Sequence, residues 1–152
     1  MNPVFAATPR IMGILNINDD SFSGDGSLDL SVLLPRAREM ISQGADIIDI
    51  GAESARTNRE VIPVDEEIRR LLAFIDRWEE PIGDAVPACE DQIFPPLLSV
   101  NSWRPRVIEA VLETGRVDLI NDISGLPDPE NARLCARFGA TLLIMHTVGE
   151  PK

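Results

Sequence analysis

The strongest constraint in this sequence is an alternation. Short apolar runs of strand length alternate with longer stretches of helical spacing along nearly the whole chain. Arg10–Ile17 is the first apolar run. Leu30–Gln43 follows, with Val32, Leu33, Ala37, Met40 and Ile41 on one face of a helix, and Gly44 stands where a C-cap is expected. Asp46–Gly51 is the second run. Pro63–Glu80 is helical again, with Ile68, Leu71, Leu72 and Ile75 in one stripe. Asp65, Glu66 and Glu67 sit in its first turn, where the helix dipole favours acids. Leu97–Asn101, Asp118–Ser124 and Thr141–His146 predict three more strands. Helices over Arg104–Thr114 and Pro129–Phe138, ended by Gly115 and Gly139, separate them. The strands are apolar on both faces, as strands covered by helices are. The pattern predicts an α/β protein with about five parallel strands and four helices.

Two architectures satisfy that order. An open doubly wound sheet is complete at 152 residues. A (β/α)₈ TIM barrel typically takes roughly 250 residues, so this chain would supply five strands of a partial barrel. Residues 1–152 read as a single domain with one departure from the rhythm. Residues 79–96 hold four of the twelve prolines and five acids without a clear period, and an irregular acidic insert on the surface is expected there.

Composition limits the partners. A formal charge of −11 opposes sequence-independent binding to nucleic acid or to an anionic membrane surface. No apolar run approaches bilayer length, and the N-terminus lacks a signal-peptide pattern. Cys89 and Cys135 are too few for a disulfide framework. The expectation is a cytoplasmic protein acting on small molecules.

In parallel α/β folds, function collects at the C-terminal ends of the strands. The first strand closes with Asn16, followed by Asn18, Asp19, Asp20 and Ser21. The second carries Asp49 and runs into Glu53, Ser54 and Arg56. The third ends in Asn101, Ser102 and Trp103, the fourth holds Asn121 and Asp122, and the fifth ends in His146, the only histidine. Each of these polar residues also suits an N-cap for the next helix. Recurring on five strands, they suit a pocket for a flat heterocycle with several N–H and C=O groups. Acid–base candidates are few. Asn16 with Asp19 or Asp20 offers oxygens to Mg²⁺, with substrate phosphate completing the shell. Arg56 suits a phosphate, or a surface acid. No P-loop, dinucleotide fingerprint or nucleophile elbow is present.

Five segments, in order, carry a family resemblance. Met12–Ser23, MGILNINDDSFS, resembles the dihydropteroate synthase signature MGILNVTPDSFSDGG. Gly44–Arg56, GADIIDIGAESAR, is similar to GADIIDIGGESTRPG. Ser99-Val-Asn-Ser102 stands where the family has S-x-D-T. Ile120–Ile123 and Met145–Lys152 match its INDI and MH-x-x-G-x-PK segments. The resemblance implies a (β/α)₈ barrel and a folate-pathway transferase that joins p-aminobenzoate to 6-hydroxymethyl-7,8-dihydropterin pyrophosphate, with Mg²⁺. It implies that Asn16 holds metal and pyrophosphate, and that Asp49, Asn101, Asn121, Ala55 and Arg56 occupy substrate-binding positions. It also implies that Asn18–Gly26, with Asp20, Ser21 and Phe22, and Glu53–Arg59 are substrate loops.

Four departures fall on those positions: Ala55 for threonine, Thr57 for proline, Asn18-Asp19 for T-P, and Asn101 for the pterin-facing aspartate. Two further readings follow from them, a pterin-binding paralogue without catalysis and a pterin-barrel methyltransferase. The family's later aspartate, lysine and arginine–x–histidine residues have no counterpart here, where Lys152 is the only lysine. A chain ending there is expected to self-associate or to need a partner that completes the barrel.

Overall fold

In a computed structural model, residues 8–18, 26–53, 61–83 and 85–146 are described. Five strands form one parallel sheet: β1 (Met12–Asn16), β2 (Ile47–Gly51), β3 (Leu97–Asn101), β4 (Leu119–Asp122) and β5 (Thr141–Ile144). Between them lie α1 (Leu30–Ser42), α2 (Val64–Ile75), α3 (Glu79–Gly83), α4 (Pro105–Leu112) and α5 (Glu130–Phe138). The strand order is β1-β2-β3-β4-β5, without a crossover that reverses direction. A doubly wound sheet reverses its order at a switch point, whereas a barrel adds each strand beside the last. The sequential order therefore selects a partial (β/α)₈ barrel from the two architectures.

The expected elements hold, with one difference in the second helix. The predicted helix over Pro63–Glu80 stops at Ile75, and the one-turn α3 follows it. Thus the first residues of the acidic 79–96 stretch are helical. Gln92, in the same stretch, is buried. Its Nε2 donates to the carbonyls of Ile41 and Ala45 at 2.8 and 2.9 Å, and its Oε1 accepts from the Ala88 N–H. That single amide ties the irregular stretch to the end of α1. Gly139 ends α5 at φ 73°, a left-handed conformation that costs glycine little.

The outer face of the sheet makes the core. Leu15, Ile17, Ile48, Ile50, Leu98, Val100 and Ile120 lie beneath Leu33, Ala37 and Ile41 of α1, Leu71, Phe74 and Ile75 of α2, and Val107, Ile108 and Val111 of α4. Side chains two residues apart on each strand share the other, concave face. In register, one tier of that face reads Ile14, Asp49, Ser99, Leu119, Thr141 across the five strands. The next tier towards the C-terminal ends reads Asn16, Gly51, Asn101, Asn121, Leu143. The middle of this face is buried and its edges are not: Ile14 on β1 is 62% exposed and Leu143 on β5 is 44% exposed. Among the described residues no helix is long and apolar enough to cross a membrane.

Candidate functional site

Asp49 is the centre of the concave face. It stands in the middle of β2 and is 2% exposed. The Ser99 hydroxyl donates to its Oδ1 at 2.5 Å, and the Asn121 carboxamide donates to its Oδ2 at 3.0 Å. These partners lie 50 and 72 residues away in sequence. They meet because β2, β3 and β4 are adjacent and parallel. Burial raises the Asp49 pKa, and hydrogen bonding from Ser99, Asn121 and Asn101 acts in the opposite direction. The Asn101 side chain belongs to the upper tier. A Cβ at Gly51 would sit 3.5 Å from that of Asn101, so the small residue leaves Asn101 room over the end of β2.

Asn16 closes β1 on the same tier. Its backbone carbonyl accepts from the Ser27 N–H at 3.2 Å, and it bridges to Gly26. Among the described residues its carboxamide makes no hydrogen bond. Next to it, Asn18 is buried, and its carboxamide oxygen occupies the space that a side chain at Gly26 would need. A side chain at residue 26 would therefore require the Asn18 carboxamide to turn away from the end of β1.

Other polar residues at the strand ends have different work. Asp122 faces the helices, opposite to Asn121. Its Oδ1 accepts from the backbone N–H and the hydroxyl of Ser124, and its Oδ2 accepts from Asn131 Nδ2 at 2.8 Å. Asn131 also donates to the Trp103 carbonyl at 2.9 Å. Asp122 thus fastens the loop between β4 and α5 and does not line the concave face. Trp103 carries the Arg104 guanidinium 5.8 Å from its ring centroid. Glu53 pairs with Arg104. His146 is exposed beyond the end of β5.

The structure therefore brings together Asp49, Asn101 and Asn121, and places Asn16 on the tier of Asn101 and Asn121, one step above Asp49. Asp20, Ser21, Phe22, Ala55 and Arg56 lie outside the described residues, as do Asp19, Thr57 and Lys152. Ser99 is the site residue that sequence reasoning passed over. Its signal was available: it lies two positions before Asn101 on one strand and so shares its face. The Glu53–Glu67–Arg104 group was also not foreseen, because its members come from three separate elements.

A family model described as "Pterin binding enzyme" matches residues 12–152. A probable bifunctional folylpolyglutamate synthase/dihydropteroate synthase of Haloferax volcanii is 39% identical over 142 residues, covering 93% of this chain and 15% of that protein. A dihydropteroate synthase of Xanthomonas albilineans, solved with 4-aminobenzoic acid, superposes with a TM-score of 0.73 at 30% identity. The match covers 94% of this chain and 48% of that one. The dihydropteroate synthase of Anaplasma phagocytophilum, with bound 6-hydroxymethylpterin-monophosphate, gives a TM-score of 0.71 at 30% identity over 95% and 49% of the two chains. This chain spans about half the length of the two solved synthases.

Proposed function

The chain belongs to the pterin-binding enzyme family, and on that premise we propose that it supplies part of a dihydropteroate synthase site. That site would join p-aminobenzoate to 6-hydroxymethyl-7,8-dihydropterin pyrophosphate and release pyrophosphate.

The Asp49 cluster carries the reading. An ionised carboxylate has about four acceptor positions. Ser99 and Asn121 take one each and Asn101 a third, which leaves capacity for about one N–H group of a ligand on the concave face. Asn121 Nδ2 is committed to Asp49, so the orientation of its carboxamide is fixed and its Oδ1 can accept. Asn101 presents one acceptor and one NH₂ group where the family has a carboxylate. A pterin edge, with N–H and C=O groups in one plane, matches that array. The cluster holds no group suited to proton transfer other than Asp49 itself. Its role in the proposed reaction is to bind and orient the pterin so that the amine meets the reacting carbon.

Asn16 is the candidate ligand for Mg²⁺. Its carboxamide makes no hydrogen bond to a described residue, and its oxygen is a hard donor at the open end of β1. Among the described residues no three acids, histidines or cysteines form a metal cluster. One protein oxygen with substrate phosphate and water fits Mg²⁺, which keeps much of its hydration. When bound, Mg²⁺ would stabilise charge on the departing pyrophosphate. Asn16 would fix where that group lies relative to the pterin held by Asp49.

The exposed Ile14 and Leu143 mark the two sheet edges that the remaining strands of a barrel would cover. Two unpaired cysteines suit the reducing cytoplasm.

Calorimetric titration with 6-hydroxymethylpterin tests the binding reading. Wild-type protein should bind, and Asp49→Asn should lose about tenfold or more, the range of a hydrogen bond to a charged group. Equal affinities would refute it. Chromatographic detection of dihydropteroate then separates a synthase from a pterin binder without turnover, the reading that Asn101 favours.

A further inference from the structure

Asp49 is a buried acid among neutral neighbours. Among the described residues, Ile14, Asn16, Ser99, Asn101, Leu119 and Asn121 stand beside it on the concave face, on β1, β3 and β4. Charged residues surround that face without facing it. Asp46 and Glu53, at the two ends of β2, pair with Arg10 and Arg104, and Arg104 also takes Glu67 and the Ile62 carbonyl. Asp118, ahead of β4, accepts from the Leu98 N–H, and Asp122 accepts from Asn131 beneath α5. The charge of Asp49 therefore depends on hydrogen bonds. Burial raises its pKa, and bonds from Ser99, then Asn121 and Asn101, oppose that rise.

Ser99 differs from the two asparagines. It occupies the β3 position in register with Asp49 and is fully buried. A hydroxyl has one proton to donate, and this one goes to Asp49 Oδ1 at 2.5 Å. The asparagines lie one tier nearer the strand ends, where each keeps a carbonyl oxygen and a second N–H for a ligand. Ser99 lies beneath that tier, so its whole donor capacity serves the carboxylate.

We propose that Ser99 is a positioning residue: its hydroxyl presents Asp49 to a ligand as the anion and in one orientation. The inference rests on the functional reading above, which places a pterin over Asp49. Only the ionised carboxylate accepts at both oxygens, so binding follows the ionisation of Asp49, and Ser99 sets the pH at which the site becomes able to bind.

Calorimetric titration with 6-hydroxymethylpterin, repeated from the ordinary carboxyl value of 3.8 upward, tests it. Wild-type affinity should fall as pH falls through the folded value of Asp49, and Asp49→Asn should lack that limb. In Ser99→Ala the limb should move to higher pH by about one unit, which is up to about tenfold in affinity at a pH on the limb. Ser99→Thr keeps the hydroxyl and should return the limb to its wild-type place. A loss in Ser99→Ala that is equal at every pH, an unmoved limb, or a limb moved as far in Ser99→Thr would overturn the proposal. Carbon-13 NMR of the Asp49 carboxyl without ligand separates the two inferences. Its titration should also move up by about one unit in Ser99→Ala, and an unmoved titration in protein that binds the pterin refutes the role of Ser99 alone. Should the titration move while the wild type binds no pterin at any pH, the hold of Ser99 on Asp49 stands and the functional reading fails.

Discussion

Replacing Ser99 by alanine isolates the contribution of one hydrogen bond to the Asp49 cluster. Ser99 is fully buried, and its hydroxyl lies 2.5 Å from Asp49 Oδ1. It is also the largest of the hydrogen-bond effects that lower the Asp49 pKa against burial. A hydrogen bond to a charged group contributes about 1.5–3 kcal/mol, and a neutral one about 1 kcal/mol. The carboxyl pKa is raised in the folded state, so the stability Asp49 contributes is complete below its ordinary value of 3.8 and declines as pH rises through the folded value. Ser99→Ala raises that folded value further and makes the decline larger. The deficit relative to wild type should therefore grow with pH. For a chain of this size, 1 kcal/mol corresponds to about 2–4 °C in Tm. The expected deficit is about 2–4 °C where Asp49 is protonated and about 4–8 °C at neutral pH, from a loss of about 2 kcal/mol. Calorimetric melts across that pH range measure it. A Tm deficit that is zero, or that shrinks as pH rises, would refute the argument that Ser99 stabilises the ionised Asp49.

Asn131→Ala should cost about 3 kcal/mol, read from the urea midpoint, because it removes two hydrogen bonds and leaves Asp122 Oδ2 and the Trp103 carbonyl without that donor. In the native protein a disulfide reagent should titrate one thiol: Cys89 is exposed, whereas Cys135 is buried with its thiol pushed up to about 11, and should react only after unfolding. Mg²⁺ should tighten binding of the pterin pyrophosphate in the wild type but not in Asn16→Ala, and leave binding of the unphosphorylated pterin unchanged in both; a metal effect that persists in Asn16→Ala would exclude Asn16 as the ligand.

The repeating units of this fold are legible because their signals are local. Apolar spacing over ten residues marks α1, and Gly115 and Gly139 mark where α4 and α5 must stop, since each takes a positive φ there. The helix predicted over Pro63–Glu80 was placed correctly at its start by Asp65, Glu66 and Glu67. Its end at Ile75 was not marked, because no glycine or proline stands there. Asn16, Asp49, Asn101 and Asn121 could be named from the strand ends and the family signatures, before any contact among them was known.

What the sequence alone could not separate was residues with the same chemistry and different surroundings. Asn121 and Asp122 are neighbours in the chain, yet the pleat sends one to the concave face and the other under α5. Asp49 meets Ser99 and Asn121 only through the register of three strands, and a slip of one residue would turn each of them to the opposite face. Arg104 finds Glu53, Ile62 and Glu67 only once α2 and α4 are docked side by side. The sequence determined the alternating elements, their two-sided burial and the identity of the polar residues, since period and composition act over a few positions. The tertiary structure decided the sequential strand order and which distant side chains share a buried charge, because pairing across 50 or 72 residues depends on how whole strands are placed.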